Sequence, residues 1–233
     1  MAEFFNSFLF GIYPYIALVI LALGSIIRYD REPYTWKSGS SQLLRRRQLV
    51  IGSLLFHLGV LAIFAGHLVG LLTPIWIWDA LGVSHGTKQL IAIVLGGVAG
   101  VGGIIGATML IHRRFFDARV RASSGFADNM IILILWVQLA LGLGTIFVSV
   151  QHLDGHEMVK FMSWAQGIFT FNPDAASYVA EASLIFKLHI TLGLTIFVLF
   201  PFTRLVHMLS APVRYIWRPG YQVVRTKRRT PAE

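Results

Sequence analysis

Five long apolar runs separated by polar stretches set the pattern of this chain: Phe8–Ile27, Val50–Leu72, Leu90–Ile111, Met130–Val150 and Leu184–Leu209. Each holds roughly 20 residues or more, the length a helix needs to cross the hydrocarbon of a bilayer. Runs this long satisfy their backbone in lipid only as helices, since membrane-barrel strands take about 9–11 alternating residues. The pattern predicts an all-α, polytopic membrane protein with five transmembrane helices in a bundle. The second run, VIGSLLFHLGVLAIFAGHLVGLL, organises the rest, because two histidines interrupt it where hydrocarbon surrounds the chain.

The polar stretches carry the charge, and its distribution orients the helices. Arg28, Arg31, Lys37, Arg45, Arg46 and Arg47 lie in the first loop, and Arg113, Arg114, Arg119 and Arg121 in the third. Arg204, Arg214, Arg218, Arg225, Lys227, Arg228 and Arg229 follow toward the end of the chain. Of the 20 basic residues only Lys88, Lys160 and Lys187 fall on the opposite side. The positive-inside rule then puts the N-terminus outside and the C-terminus in the cytoplasm. Residues 1–209 form the transmembrane domain, and 210–233 form a basic cytoplasmic tail whose end, Tyr221–Glu233, is expected to be partly disordered. Of the two outer loops, Thr73–Thr87 carries Pro74 and the interface-suited pair Trp76 and Trp78; Gln151–Ser183 is long and mainly acidic. Within the latter, MVKFMSWAQGIFTF suits a short helix on the membrane surface. The glycines of GGVAGVGGIIG, from Gly96 to Gly106, suit close helix packing through small residues.

Composition agrees with the pattern. Hydrophobic residues make up 55% of the 233 and charged residues 13%, against about 25% charged in a soluble domain. A net charge of +9 would suit nucleic acid, but the placement of the cations between spans excludes that partner. The N-terminal MAEFFNSFLF has no basic n-region and no small-residue cleavage site, so no signal peptide is predicted. Cysteine is absent, which removes disulfides, thiolate iron–sulfur ligands and covalent haem attachment.

An imidazole in hydrocarbon is costly unless something binds it, so His57 and His67 mark a functional site. His189 and His207 match them on the fifth run. His57 to His67 is roughly 15 Å along a helix axis, and His189 to His207 roughly 27 Å at five whole turns, which puts that second pair on one face of a straight helix. Since the second and fifth helices cross in opposite directions, His57 and His207 share the inner depth and His67 and His189 the outer. Two metal-centred cofactors follow, one near each leaflet. Without cysteine these are b-type haems, each gripped by two imidazoles that leave no axial position free, which suits electron transfer. Gly59, Ala62, Gly66, Gly70 and Gly193 leave room for a flat macrocycle. An interhelical hydrogen bond is the bland alternative for any one of these histidines. The others, His85, His112, His152 and His156, lie in loops, where surface residence is the default.

The residues resemble a known family. IYPYI (12–16), RYD (28–30), YTW (34–36), SSQ (40–42), FHLGVLAIFAGH (56–67), LLTPIW (71–76), RVRA (119–122), the HLDG, MVK and WAQ series (152–166), FKLH (186–189) and LFPFTRLVH (199–207) are similar to the gamma subunit of membrane-bound respiratory nitrate reductase, the dihaem cytochrome b anchor. The resemblance covers nearly the whole chain. It implies two haem b groups, the outer on His67 and His189 and the inner on His57 and His207. Quinol, either menaquinol or ubiquinol, would be oxidised beside Gly66, His67 and Lys88. Electrons would go on to the iron–sulfur clusters of a cytoplasmic beta subunit and the molybdenum cofactor of an alpha subunit, where nitrate becomes nitrite. The implied place is the inner membrane of a prokaryote, where outer proton release and inner proton uptake separate charge.

Three further positions are candidates. Lys88 would hydrogen-bond a quinone carbonyl; otherwise it is a lysine snorkelling to the interface. Arg204, with Arg114 and Arg113 as rivals, would pair with a haem propionate, or else contribute only positive-inside charge. Tyr29 lies near the inner haem. The basic loops would dock the partner subunits, and they also suit anionic lipid. Rival readings are a dihaem cytochrome of a related sulfur-compound or disulfide reductase, a proton channel using a histidine relay, and a bare structural anchor.

Overall fold

Free of proline and of charge beyond its first turn, the second run forms one unbroken helix, α3 (Arg46–Leu72), and stops where Pro74 holds Thr73 extended. In the computed structural model, residues 2–36 and 44–210 are described. Lys37, the SSQ motif and the basic tail beyond Ser210, including the stretch expected to be disordered, lie outside the described residues.

Around α3 the other elements follow in order: α1 (Ala2–Ser7), α2 (Tyr13–Arg31), α4 (Ile75–Ala80), α5 (His85–Phe116), α6 (Ala118–Ala122), α7 (Phe126–Ser149), α8 (His156–Phe169) and α9 (Leu184–Leu199). Among the described residues, five helical stretches are long and apolar enough to cross a membrane: Glu3–Arg31, Arg46–Leu72, His85–Phe116, Phe126–Ser149 and Leu184–Phe202. The expected all-α architecture holds. In space α3 packs on α5, α5 on α7, α7 on α9, and α9 on α2. Large apolar side chains such as Leu58, Leu61, Val94, Val98 and Phe147 stay exposed on the outside of this row, as lipid-facing residues do.

The α3–α5 contact depends on glycine. A Cβ on Gly59 would lie 2.6 Å from the Ala99 carbonyl oxygen and 2.7 Å from Gly103 Cα. One on Gly52 would meet the Gly106 carbonyl at 3.3 Å. The small-residue packing expected of the third run is therefore present, and Gly59 belongs to it. The expectation that Gly59 makes room for a macrocycle is corrected: its open side is filled by a neighbouring helix.

In the first span, Pro14 has no N–H to give to the carbonyl of Phe10. The chain widens there into a π turn, Phe8–Ile12, in which Tyr13 N–H reaches the Phe8 oxygen. The released Phe10 carbonyl accepts instead from Trp164 Nε1 at 2.9 Å. Trp164 sits on α8 and is buried with Ala165 and Ile168 of the same helix against Phe10, Ala175 and Val179. The segment expected to lie on the membrane surface is thus helical but caps the bundle, holding Tyr15 through the Ile168 carbonyl at 3.0 Å. At the opposite end, Asp117 N-caps α6. Hydrogen bonds from the Val120 and Arg119 N–H groups, with Arg45 at 2.9 Å, hold its carboxyl below the usual carboxylate range.

The fifth run departs from a straight helix. α9 ends at Leu199, and a 3-10 turn at Phe200–Phe202 contains Pro201. Thr203 is extended, with φ −121° and ψ −178°, and a second 3-10 stretch, Arg204–Ser210, carries His207. The five-turn geometry placing His189 and His207 on one helical face does not hold. Pro201 supplies no N–H to the helix it enters, and the chain leaves the axis at Thr203.

Candidate cofactor site

Two imidazole pairs span the gap between α3 and the fifth span. The ring centres of His57 and His207 are 6.2 Å apart and those of His67 and His189 6.1 Å apart, with ring planes inclined at 75° and 42°. The pairing is the one that depth predicted, even though the straight helix used to reach it is broken.

Local structure fixes which nitrogen each ring offers. His57 Nδ1 lies 2.7 Å from the Ser53 carbonyl oxygen, His67 Nδ1 2.8 Å from that of Ile63, and His207 Nδ1 2.5 Å from that of Arg204. A carbonyl only accepts, so Nδ1 carries the proton and the Nε2 lone pair is left to bind a metal. His189 differs: its Nδ1 is buried without a hydrogen-bond partner. Such an atom costs about 1–3 kcal/mol if nothing binds it. Gly142 keeps space for this ring, because a Cβ there would stand 3.0 Å from His189 Cε1. Gln138 Nε2 holds the His189 backbone carbonyl at 3.1 Å.

These distances test whether a metal macrocycle fits. A metal–imidazole bond is about 2 Å and the ring centre lies roughly 1 Å beyond the nitrogen, so two rings sharing one metal stand about 6 Å apart. Both pairs have that separation. Direct hydrogen bonding would need the facing nitrogens within about 3 Å, and no such contact joins either pair. Two nitrogens are too few for a metal held by protein alone, which takes three or four. They are the number a macrocycle with four nitrogens of its own requires.

The two ends of the bundle differ in charge and contacts. At the His57–His207 end, Arg113 is buried and donates to the Leu44 carbonyl at 2.6 Å. Arg114 donates to the Asp128 carbonyl at 2.7 Å, and Arg204 Nε lies 3.4 Å from the Asp128 carboxylate. Arg114 and Arg204 therefore converge on one aspartate at the start of α7. Tyr29 is exposed and sets its ring edge-on against Trp36, at 5.4 Å.

At the His67–His189 end, Lys88 is only 6% exposed. Its ammonium donates to the Gly70 carbonyl at 2.7 Å and to Met162 Sδ at 2.6 Å, and it stands 4.6 Å from the centre of the Trp78 ring. It does not snorkel. Gly66 lies one turn before Gly70, and a Cβ on it would meet nothing within 4 Å. Trp76 is exposed whereas Trp78 turns in to the lysine, so the tryptophan pair is split between two roles. His85, next to Lys88 in the same turn, pairs with Asp79 at 3.2 Å.

Asp128, Gln138 and Gly142 carry the site without having stood out in the sequence. Only Asp128 had a readable signal, as the lone acid of a first turn, on the side rich in arginine.

Against known proteins, a model described as the nitrate reductase gamma subunit matches residues 6–227. The chain belongs to the nitrate reductase gamma subunit family. It is 47% identical to the respiratory nitrate reductase 1 gamma chain of Escherichia coli over 97% of its length and 99% of that protein's. With the respiratory nitrate reductase 2 gamma chain of the same organism it shares 49%, over 98% of this chain and all of the other. The nitrate reductase gamma chain of Bacillus subtilis is 37% identical over 95% of this chain and 99% of its own. In this gamma-family chain both imidazole pairs, Lys88 and the arginine cluster all lie within the matched residues.

Proposed function

We propose that this gamma-family chain is the cytochrome b subunit of a respiratory nitrate reductase in a prokaryotic cytoplasmic membrane. It oxidises quinol near the outer face and delivers the electrons to cytoplasmic iron–sulfur and molybdenum subunits that reduce nitrate to nitrite. The reading rests on one observation: two imidazole pairs at different depths, each with its rings about one shared metal apart.

His67 and His189 would hold the outer haem, His57 and His207 the inner. Haem supplies one-electron transfer, which links a two-electron quinol donor to metal-centred acceptors. The protein's own residues do the rest. Ser53, Ile63 and Arg204 offer carbonyls that orient three of the imidazoles and raise their basicity. Lys88 presents a cation beside the outer pair, suited to a quinone oxygen. The quinol's two protons leave on that side, toward His85 and Asp79 at the bundle's outer end. The opposite end has Arg204 and Arg114 about Asp128, suited to haem propionates, and further basic loops suited to docking the partner subunits and anionic lipid. Those cations keep the N-terminus outside and the C-terminus in the cytoplasm.

A stopped-flow experiment on the purified complex tests this function. Quinol is expected to raise the absorption bands of reduced b haem, and nitrate to bleach them within turnover time. Bands indifferent to quinol would contradict the donor. Bands that bleach with a sulfur-compound or disulfide acceptor and not with nitrate would favour the sibling reductase.

A further inference from the structure

The segment that carries His207 is irregular: it follows a proline break and consists of 3-10 turns joined through an extended residue, Thr203. An axial ligand on such a segment is only as well placed as the contacts that fix the segment. Arg28, on the last turns of α2, supplies those contacts. Its Nη1 donates to the Pro201 carbonyl at 2.6 Å and to the Thr203 carbonyl at 2.8 Å. Its Nη2 donates to the Thr35 carbonyl at 2.8 Å, and its Nε to Thr35 Oγ1 at 3.3 Å. One turn earlier on the same face, Gly24 receives the Pro201 ring, where a Cβ would stand 2.8 Å from Pro201 Cγ. The far end of the segment is tied as well, since Trp36 Nε1 donates to Ser210 Oγ.

We infer that Arg28 is a positioning residue for the inner haem: its guanidinium fork fixes the break at Pro201–Thr203 and so sets where His207 meets His57. The inference rests on the reading that His57 and His207 hold that haem. It assigns to the first span, which contributes no ligand, the placement of a ligand on the fifth. The geometry requires a fork. Two carbonyls on one nitrogen and the Thr35 carbonyl on the other are reached by a planar guanidinium, and an ammonium on a flexible stem cannot hold all three in register. Charge alone does not substitute.

The test uses the full complex with Arg28→Lys and Arg28→Gln, read by haem content per chain and by optical redox titration. Each variant is expected to lose most of one haem, or to keep it with a shifted potential and altered low-spin signal, while the outer haem on His67 and His189 stays at full content and unchanged potential. That retained haem shows that the chain has folded. Lysine is expected to behave like glutamine. Both haems unchanged in both variants would overturn the inference. So would rescue by lysine alone, which would make the effect one of charge, and so would equal loss of both haems, which would make Arg28 a general folding residue. Failure of the underlying reading is distinguishable: His57→Ala would then leave both haems in place.

Discussion

Replacing His67 by alanine is expected to remove the outer haem and to abolish nitrate reduction with quinol as donor, while the inner haem remains. His67 is one half of a ring pair 6.1 Å apart, and the Ile63 backbone carbonyl orients its ring. Loss of a hydrogen bond behind a metal ligand already costs about 10–100-fold in affinity or activity, and loss of the ligand itself costs more. Turnover with quinol should fall by more than about a hundredfold. Nitrate reduction with a small soluble dye that donates directly to the cytoplasmic subunits should survive. Haem content read beside the two activities checks the result. A variant that keeps both haems would refute the pairing, and one that loses the haem on His57 and His207 instead would contradict the ligand assignment.

The second large effect is at Lys88. Lys88→Ala is expected to lower quinol turnover by about 10–100-fold, the equivalent of the roughly 1.5–3 kcal/mol carried by a hydrogen bond to a charged group. Both haems should stay in place. The structure gives the lysine a second possible duty, because the Gly70 carbonyl it binds lies in the last turn of α3, where a cation also complements the helix dipole. The two duties separate by readout. A quinol-binding lysine changes KM or turnover at normal haem content and normal thermal stability. A capping lysine changes stability and leaves the kinetics of the surviving enzyme intact, and unchanged turnover would leave it only the cap. A cation sealed between Gly70, Met162 and the Trp78 face is poorly hydrated, so any quinone oxygen reaching it gains more than it would from a lysine in water.

What could be read from the sequence divides along physical lines. The five spans are legible because lipid demands long uncharged runs and little else in a chain has that length. Their ends are less so: α5 reaches from His85 to Phe116, beyond the apolar run, because a helix continues past it with Lys88, Gln89 and Arg113 paired inside the protein. The imidazole pairing is legible because depth is conserved by an antiparallel crossing, and it survives the break in the fifth run. The break itself is masked by hydropathy, since Phe200, Leu205 and Val206 are as buried as residues of the helix before them. Pro201 was the available signal. Arg28 and Asp128 are hidden for another reason: charges at span ends are explained by topology, and only side-chain geometry shows that one holds a carbonyl pair and the other gathers two arginines. Gly59 shows the reverse error, a small residue credited to a cofactor when its neighbour is a helix.

The central claim is that four imidazoles in two pairs grip two irons, and counting haem with its axial ligands tests it most directly. Pyridine haemochrome analysis of the purified complex, with near-infrared magnetic circular dichroism on the same sample, reports both quantities. Two b haems per chain, each low-spin with two imidazole ligands, is the result this account predicts. A chain carrying no haem, or haem with any other axial pair, would contradict it.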